Sequence, residues 1–233
     1  MTGHVLLEGG AEFGGQMAAP DRRALALAGG QNANVCILPT AAAPDNNHRR
    51  AGENGRRWFQ SLGARNVAVL PLLNRSAADR PESAEALAAA GLVYLLGGFP
   101  AHLAESLAGS AAWEAILTAH SAGAVVGGSS AGAMVVCEQY YDPFRGRLLP
   151  GLNLLPGCCV VPHYNTLGGE WIDYLLDALP GFTVLGIDEQ TGALDDAGPE
   201  QGRHRWTVYG AGGVTRYQGG ARAVFSAGQQ FIL

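Results

Sequence analysis

The chain has 233 residues, of which 48% are hydrophobic and 15% are charged, so it can bury a core and lacks the composition of a disordered protein. Its net charge of −5 argues against nucleic-acid binding, which needs clustered Lys and Arg. The basic residues form only short pairs, such as Arg49-Arg50 and Arg56-Arg57, which we interpret as a solvated helix face. No apolar run approaches the roughly 20 residues that span a bilayer, and no signal-like segment opens the chain. We expect one cytoplasmic domain over residues 1–233, without a membrane partner.

Four cysteines, Cys36, Cys137, Cys158 and Cys159, lie outside any CxxC motif or Cys/His ligand spacing. This pattern favours buried free thiols in a reducing compartment over a disulfide framework or a metal site. We therefore expect neither a metal nor a cofactor.

Short apolar runs alternate with helical segments through the first 150 residues. Each run is continuous, as in strands buried on both faces, and most end in Gly or Pro. The predicted strands are 5–7, 35–38, 67–70, 92–96 and 124–126, and the predicted helices are 48–62, 82–90 and 101–120. This order predicts an α/β fold with a mostly parallel central sheet and helices on both faces. In such a sheet, ligands bind beyond the carboxyl ends of the strands.

The alternation continues after residue 150, with a strand near 158–162, a helix near 170–178 and a strand near 183–187. The polar segment 195–203 is predicted to be a surface loop. The C-terminal runs 206–209, 212–217 and 221–225 are separated by glycines and predict β-hairpins.

The most specific motif is Gly128-Ser129-Ser130-Ala131-Gly132, a G-x-S-x-G between an apolar strand and a helix start rich in small residues. A nucleophile at such a turn has a strained backbone, and the helix start offers free N–H groups to an oxyanion. We therefore predict that Ser130 is a nucleophile and that Ser129 is a bystander. A Gly/Ser-rich turn that binds a phosphate, or only reverses the chain, is the alternative.

A serine hydroxyl needs a base, and the base needs an acid to orient it. His163 follows an apolar strand, at the sheet edge where Ser130 is expected. Asp188 and Glu189 follow another strand and point in opposite directions if that strand continues, so only one can face His163. Weaker candidates for the acid follow the serine motif, at Glu138 and Asp142.

The chain order serine, histidine, acid differs from that of the α/β-hydrolases and resembles peptidase family S51, which includes peptidase E (an aspartyl dipeptidase) and cyanophycinase. The segments that carry the resemblance are Pro39-Thr40-Ala41, Leu96-Gly97-Gly98, Ser130-Ala131-Gly132-Ala133, Pro162-His163-Tyr164 and Gly186-Ile187-Asp188-Glu189-Gln190-Thr191. The resemblance implies a fold like that of the class I glutamine amidotransferases, which is flavodoxin-like.

By the same resemblance, Ser130 attacks a carbonyl carbon and His163 accepts its proton. Glu189 orients His163, with Asp188 as the alternative acid, and the N–H groups of Gly98 and Ala131 hold the oxyanion. The implied enzyme is a serine peptidase or amidase that acts on small peptides or aspartyl-type amide bonds. A non-catalytic protein that binds a small molecule in the same fold, or an esterase, is the alternative, and a homodimer stays open.

The sequence departs from the family pattern where Phe99-Pro100 follows the Gly-Gly pair, since the family usually has Asn or Asp there. We therefore expect weak activity on Asp-X dipeptides. Recognition of an aspartyl side chain needs a cation, ideally a bidentate arginine. Three arginines are near the predicted loops: Arg75, Arg145 and Arg147.

Overall fold

A computed structural model describes residues 3–200 and 203–233. The strands are β1 His4–Glu8, β2 Asn34–Leu38, β3 Asn66–Val69, β4 Leu92–Leu95, β5 Val125–Ser129, β6 Gln139–Asp142, β7 Arg147–Pro150, β8 Cys158–Val161, β9 Thr183–Ile187, β10 Thr191–Leu194, β11 Pro199–Glu200, β12 Arg203–Gly210, β13 Gly213–Gln218, β14 Ala221–Ser226 and β15 Gln230–Ile232. The α-helices are α1 Ala18–Leu27, α2 His48–Ser61, α3 Arg75–Ala78, α4 Pro81–Ala88, α5 Pro100–Leu107, α6 Ala111–Ser121, α7 Ala131–Val135 and α8 Ile172–Ala178.

Within the described residues, the central sheet has nine strands in the order β11-β12-β10-β1-β5-β4-β2-β3, and β15 also pairs with β12. The strands β1, β5, β4, β2 and β3 are parallel to their neighbours. The strands β10 and β12 add antiparallel pairs beyond β1. The predicted α/β fold is therefore confirmed, with its antiparallel strands confined to one edge.

Alternating side chains of the parallel strands face two separate cores. Leu6, Ile37 and Tyr94 pack towards α1 and α2 on one face. Val5 and Val93 face the other side, where α4, α5, α6 and α7 contribute to the core. Because β1, β2, β4 and β5 are buried on both faces, their apolar runs are continuous rather than alternating, whereas the edge strand β3 is partly exposed.

A second sheet, in the order β14-β13-β9-β8, packs against the face that carries α4 to α7. The predicted strands 158–162 and 183–187 belong to this sheet, where β8 and β9 are parallel. The predicted C-terminal hairpin is confirmed for β13 and β14. The run 206–209 instead lies in β12 of the central sheet, between β10 and β15.

The predicted helix over 101–120 is wrong, because the structure divides it into α5 and α6. Gly109 has a positive φ of 64°, which ends the first helix. Ser110 then caps the second, since its hydroxyl accepts a hydrogen bond from the Trp113 N–H at 3.1 Å. A serine in this position starts a new helix more readily than it continues one.

The segment 195–203 is not a simple surface loop. Asp195 is buried, and its carboxylate accepts a hydrogen bond from the Val5 N–H at 2.7 Å, so it satisfies a backbone donor at the start of the sheet. The segment also contributes to β11 and β12, while residues 201 and 202 of this prediction lie outside the described residues.

The four cysteines are buried free thiols, as the sequence predicts. Burial raises the pKa of Cys36 to about 11. Among the residues that the structure describes, none of the helices combines the length and hydrophobicity that a bilayer crossing requires.

Candidate active site

Ser130 lies at a sharp turn between β5 and α7, with φ 50° and ψ −112°. Its N–H donates to the carbonyl oxygen of Glu8 on the neighbouring strand at 3.0 Å. A Cβ at Gly128 would lie 2.6 Å from the Gly132 carbonyl oxygen, so α7 returns directly over the end of β5. A positive φ at a residue other than glycine persists only where the surroundings hold it.

His163 meets Ser130 at the carboxyl edge of the central sheet. Its Nε2 lies 3.0 Å from Ser130 Oγ, and its Nδ1 lies 2.8 Å from Glu189 Oε1. The side chains of His163 and Glu189 are 31% and 37% exposed, so solvent and a substrate can reach them. The three residues come from three distant segments of the chain, and they form one continuous line of polar contacts.

The loop that follows β1 holds in place the chain segments that carry His163 and Glu189. The carbonyl oxygen of Gly9 accepts from the His163 N–H at 2.8 Å, and that of Gly10 accepts from the Gln190 N–H at 3.0 Å. A Cβ at Gly10 would lie 2.8 Å from Nε2 and 2.9 Å from Nδ1 of His163. The imidazole therefore rests on the bare backbone of Gly10, a role that sequence reasoning missed although a Gly-Gly pair after the first strand was its signal.

Glu189 receives further support from a residue that the sequence did not single out. Its N–H donates to Asn165 Oδ1 at 3.0 Å. Since Asn165 follows His163 by two positions, this bond ties the segment carrying the carboxylate to the segment carrying the imidazole.

The alternative acids bind other groups. Asp188 accepts from the Gly213 N–H at 2.8 Å, Asp142 from the Phe144 N–H at 2.8 Å, and Glu138 from the Gly157 N–H at 2.7 Å. Each carboxylate therefore supports a turn. In the structure, Glu189 is the carboxylate that contacts the imidazole of His163.

The loop after β4 brings the Gly97-Gly98 pair beside Ser130. The position of a Cβ on Gly97 lies 3.3 Å from Ser130 Cβ. Gly98 has φ 135°, and a Cβ there would overlap the carbonyl group of Ala41. Ala131 is the first residue of α7, so its N–H has no acceptor within the helix. Among the described residues, no group of three or more His, Cys, Asp or Glu side chains is placed to hold a metal ion.

Comparison with known proteins identifies the family. A sequence model of peptidase family S51 matches residues 5–194. The chain belongs to peptidase family S51. It is a serine-type peptidase, and the family resemblance in its motifs is confirmed.

Relatives and a solved structure agree with this assignment. Cyanophycinases from Trichormus variabilis and from a Nostoc species are each 29% identical over 226 residues, which covers 91% of this chain and 72% of theirs. The crystal structure of a peptidase from an acI-B1 Actinobacterium superposes with a TM-score of 0.88 at 28% identity, covering 100% of this chain and 98% of that one.

Ser129 of the peptidase is more than a bystander. It is buried, and its hydroxyl donates to Glu12 Oε2 at 2.8 Å. A Cβ on Gly97, which would lie 3.3 Å from Ser130 Cβ, would also lie 3.5 Å from Glu12 Oε1. Glu12, a carboxylate that the sequence did not reveal, therefore lies close to Ser130 at the edge of the sheet.

A pair of buried carboxyl groups lies on the α1–α2 face, next to the turn that holds Ser130. Glu8 accepts a hydrogen bond from the Tyr94 hydroxyl, and Asp21 accepts one from the Trp58 indole N–H at 2.7 Å. Burial is the main reason that the pKa of Glu8 is well above its usual range and that of Asp21 is about 7. Both carboxyl groups therefore hold protons more strongly than they would in water.

No contact that the structure describes joins Ser130 to any of the three arginines singled out in the sequence. Arg75 pairs with Asp79, and Arg145 pairs with Glu105. Arg147 is exposed on β7.

Phe99, which replaces the family's polar residue, stacks on Phe144. The ring centroids are 4.5 Å apart, with 22° between the ring planes. Phe144 is 64% exposed, so the stack presents apolar surface beside the loop that contains Gly98.

Proposed function

We propose that the peptidase hydrolyses small peptides or aspartyl-type amide bonds through an acyl-enzyme on Ser130. In this proposal His163 is the general base and Glu189 is the carboxylate that orients it. The observation that carries the proposal is the continuous polar line from Ser130 Oγ to His163 Nε2 at 3.0 Å, and from His163 Nδ1 to Glu189 Oε1 at 2.8 Å. Both distances lie within hydrogen-bond reach, which proton transfer to and from the base requires.

In the first half of the reaction, Ser130 Oγ attacks the carbonyl carbon while its proton moves to His163 Nε2. The carboxylate of Glu189 stabilises the imidazolium that forms and keeps its ring in the orientation for transfer. The N–H groups of Gly98 and Ala131 donate to the oxyanion. Donors fixed in this way stabilise the transition state because they need no rearrangement when the charge develops.

In the second half, His163 gives the proton to the leaving amine, and the amine departs. Water then enters and loses a proton to Nε2 while its oxygen attacks the acyl carbon. Collapse of this second intermediate releases the acid and returns the proton to Ser130 Oγ.

Aspartyl-type amides belong in the proposal because of the resemblance to aspartyl dipeptidases and the match to cyanophycinases. Turnover of Asp-X dipeptides is expected to be weak, because Phe99 stands where the family has a polar residue. Rates on the order of 1–1000 per second on Asp-Leu, the usual range for enzymes, would contradict that expectation.

A fluorophosphonate probe tests the proposed nucleophile. We expect one adduct, located on Ser130 by peptide mass spectrometry, that disappears in Ser130→Ala and persists in Ser129→Ala. Amine release from a panel of dipeptides should disappear in the same variant. Adduct formation on folded Ser130→Ala protein would refute the assignment, and faster turnover of p-nitrophenyl esters than of any amide would favour an esterase.

A further inference from the structure

A cleft of about 720 Å³ opens between the loop after β1 and the helix α2. Glu12 and Phe13 line it from the loop, while Arg50, Arg57 and Trp58 line it from the helix. This volume suits a dipeptide-sized ligand, since small-molecule sites usually measure about 300–1000 Å³. The cleft lies on the face of the sheet that carries α1 and α2.

Glu12 links the cleft to the reacting centre. Its carboxylate accepts a hydrogen bond from the hydroxyl of Ser129, the residue before Ser130. A Cβ on Gly97 would lie 3.5 Å from Glu12 Oε1 and 3.3 Å from Ser130 Cβ, so Glu12 and Ser130 border the same space. Ser130, His163 and Glu189 do not line the cleft, so Glu12 is the lining residue that connects it to the surroundings of Ser130.

Arg50 and Arg57 are seven positions apart on α2, which places them two turns apart on the same face of the helix. Each donates to a neutral asparagine three residues earlier. Arg50 Nε lies 2.9 Å from Asn47 Oδ1, and an amino nitrogen of Arg57 lies 2.7 Å from Asn54 Oδ1. An asparagine oxygen orients the guanidinium without cancelling its charge, and each guanidinium has five N–H donors in total.

The neighbouring arginine Arg56 shows the contrast. Its guanidinium binds both oxygens of Glu53, at 2.7 Å and 2.8 Å, so its charge is already paired. Among the ion pairs of the described residues, neither Arg50 nor Arg57 has a carboxylate partner. The helix therefore presents two guanidinium groups without an ion-pair partner to the cleft, although Arg57, after Arg56, helps to lower the pKa of Glu53.

We propose that Arg50 and Arg57 form a carboxylate-binding subsite, so that the peptidase prefers a small substrate with a free carboxylate near the scissile amide over the matching carboxamide. The weak turnover of Asp-X dipeptides expected from Phe99 concerns the absolute rate and not this preference. Guanidinium groups suit this role because their planar fork matches a carboxylate. Glu12 repels a carboxylate from the end of the cleft next to the nucleophile, and this repulsion directs the substrate's negative charge to α2. This inference rests on the proposed function, since it assumes that a peptide bond lies at Ser130.

The helix supplies its own control for a test. Arg49 and Arg56 are also seven positions apart on α2, and neither lines the cleft. The double variant Arg50→Gln/Arg57→Gln and its matched control Arg49→Gln/Arg56→Gln therefore remove the same charge from the same helix.

The experiment measures kcat/KM for dipeptides beside analogues in which the acidic side chain or the C-terminal carboxylate is a carboxamide. We expect a fall of roughly 10-fold per arginine and about 100-fold for the double variant, the size of a lost hydrogen bond to a charged group. The fall should affect only the substrates with free carboxylates. An equal fall on the carboxamides, an equal fall in the control variant, or no fall would overturn the subsite.

Direct binding separates failure of the subsite from failure of the proposed reaction. Calorimetric titration of succinate and of its monoamide succinamate into Ser130→Ala protein needs no turnover. Succinate that binds more tightly than succinamate, and that loses this advantage in the Arg50/Arg57 double variant, supports the subsite even if no peptide is cleaved. Equal binding of both ligands, or binding of neither, overturns the subsite and leaves the nucleophile test unaffected.

Discussion

Gly10→Ala should inactivate the peptidase, because the added methyl group would displace the imidazole of His163. A Cβ at this position would lie 2.8 Å from His163 Nε2, whereas non-bonded carbon contacts are comfortable at about 3.5–4.0 Å. The ring must therefore move by about 1 Å, and a displacement of that size can cost on the order of 100-fold in rate. Gly10 also has φ 110°, so the substitution should lower the free energy of unfolding by about 1–3 kcal/mol.

The assay compares kcat and KM of Gly10→Ala with those of Gly14→Ala on the same loop, and thermal unfolding verifies that each variant is folded. Gly14 has φ −168°, and a Cβ there would contact nothing within 4 Å, so this control should retain its activity within about twofold. We expect kcat to fall in Gly10→Ala with little change in KM, and fluorophosphonate labelling to slow in parallel. A folded Gly10→Ala variant with wild-type kcat would refute the role assigned to this contact.

Three further predictions concern the acid, a buried carboxyl group and the aromatic stack. Glu189→Gln should lower kcat by on the order of 10³–10⁴ through loss of imidazolium stabilisation, while Asp188→Asn should stay within about threefold; the reverse ranking would contradict the assignment. Because the pKa of Asp21 rises from 3.8 to about 7 on folding, the folded state binds a proton that the unfolded state has lost. The free energy of unfolding should therefore fall by on the order of 2–4 kcal/mol between about pH 4 and pH 7. Asp21→Asn should reduce this slope in urea titrations and leave the part that Glu8 contributes through its own raised pKa, and an unchanged slope would count against the shift. Phe144→Ser removes the ring stacked on Phe99 and should lower kcat/KM roughly 3- to 10-fold for substrates with large apolar groups, with equal loss on small substrates as the contrary result.

The sequence predicts where the strands and helices lie more successfully than it predicts which strands pair with one another. The continuous apolar runs of β8 and β9 have the same pattern as those of β1, β2, β4 and β5, because all six strands are buried. Which sheet a strand joins depends on pairing with distant segments, such as that between β9 and β13. Local periodicity contains no information about those pairs.

The candidate site likewise contains residues that the sequence reveals and residues whose roles depend on the fold. Ser130, His163 and Glu189 are recognisable because each lies in a motif at the end of an apolar run. Gly10 has only a weak signal, the Gly-Gly pair after the first strand, and Asn165 has none, because their roles come from contacts with residues that the fold brings close to them.

The arginine pairs of α2 show how a reasonable interpretation can be incomplete. Arg49-Arg50 and Arg56-Arg57 do lie on an exposed helix, as predicted. One member of each pair nevertheless faces the cleft. Only the position of α2 beside the loop after β1 distinguishes the two members, and a sequence pattern does not give that position.

The plane of the central sheet divides the surroundings of Ser130 into two halves with different chemistry. Strand β5 lies between β1 and β4, which lead into the loops of Glu12 and Phe99. The Glu12 loop borders the charged cleft on the α1–α2 face, whereas Phe99 begins α5 and stacks on Phe144 on the opposite face. In the proposed arrangement, a substrate amide at Ser130 has the charged cleft on one side and the apolar Phe99–Phe144 stack on the other. Because the cleft and the stack share no residue, substitutions in α2 and at Phe144 should change discrimination independently, and their effects on kcat/KM should multiply.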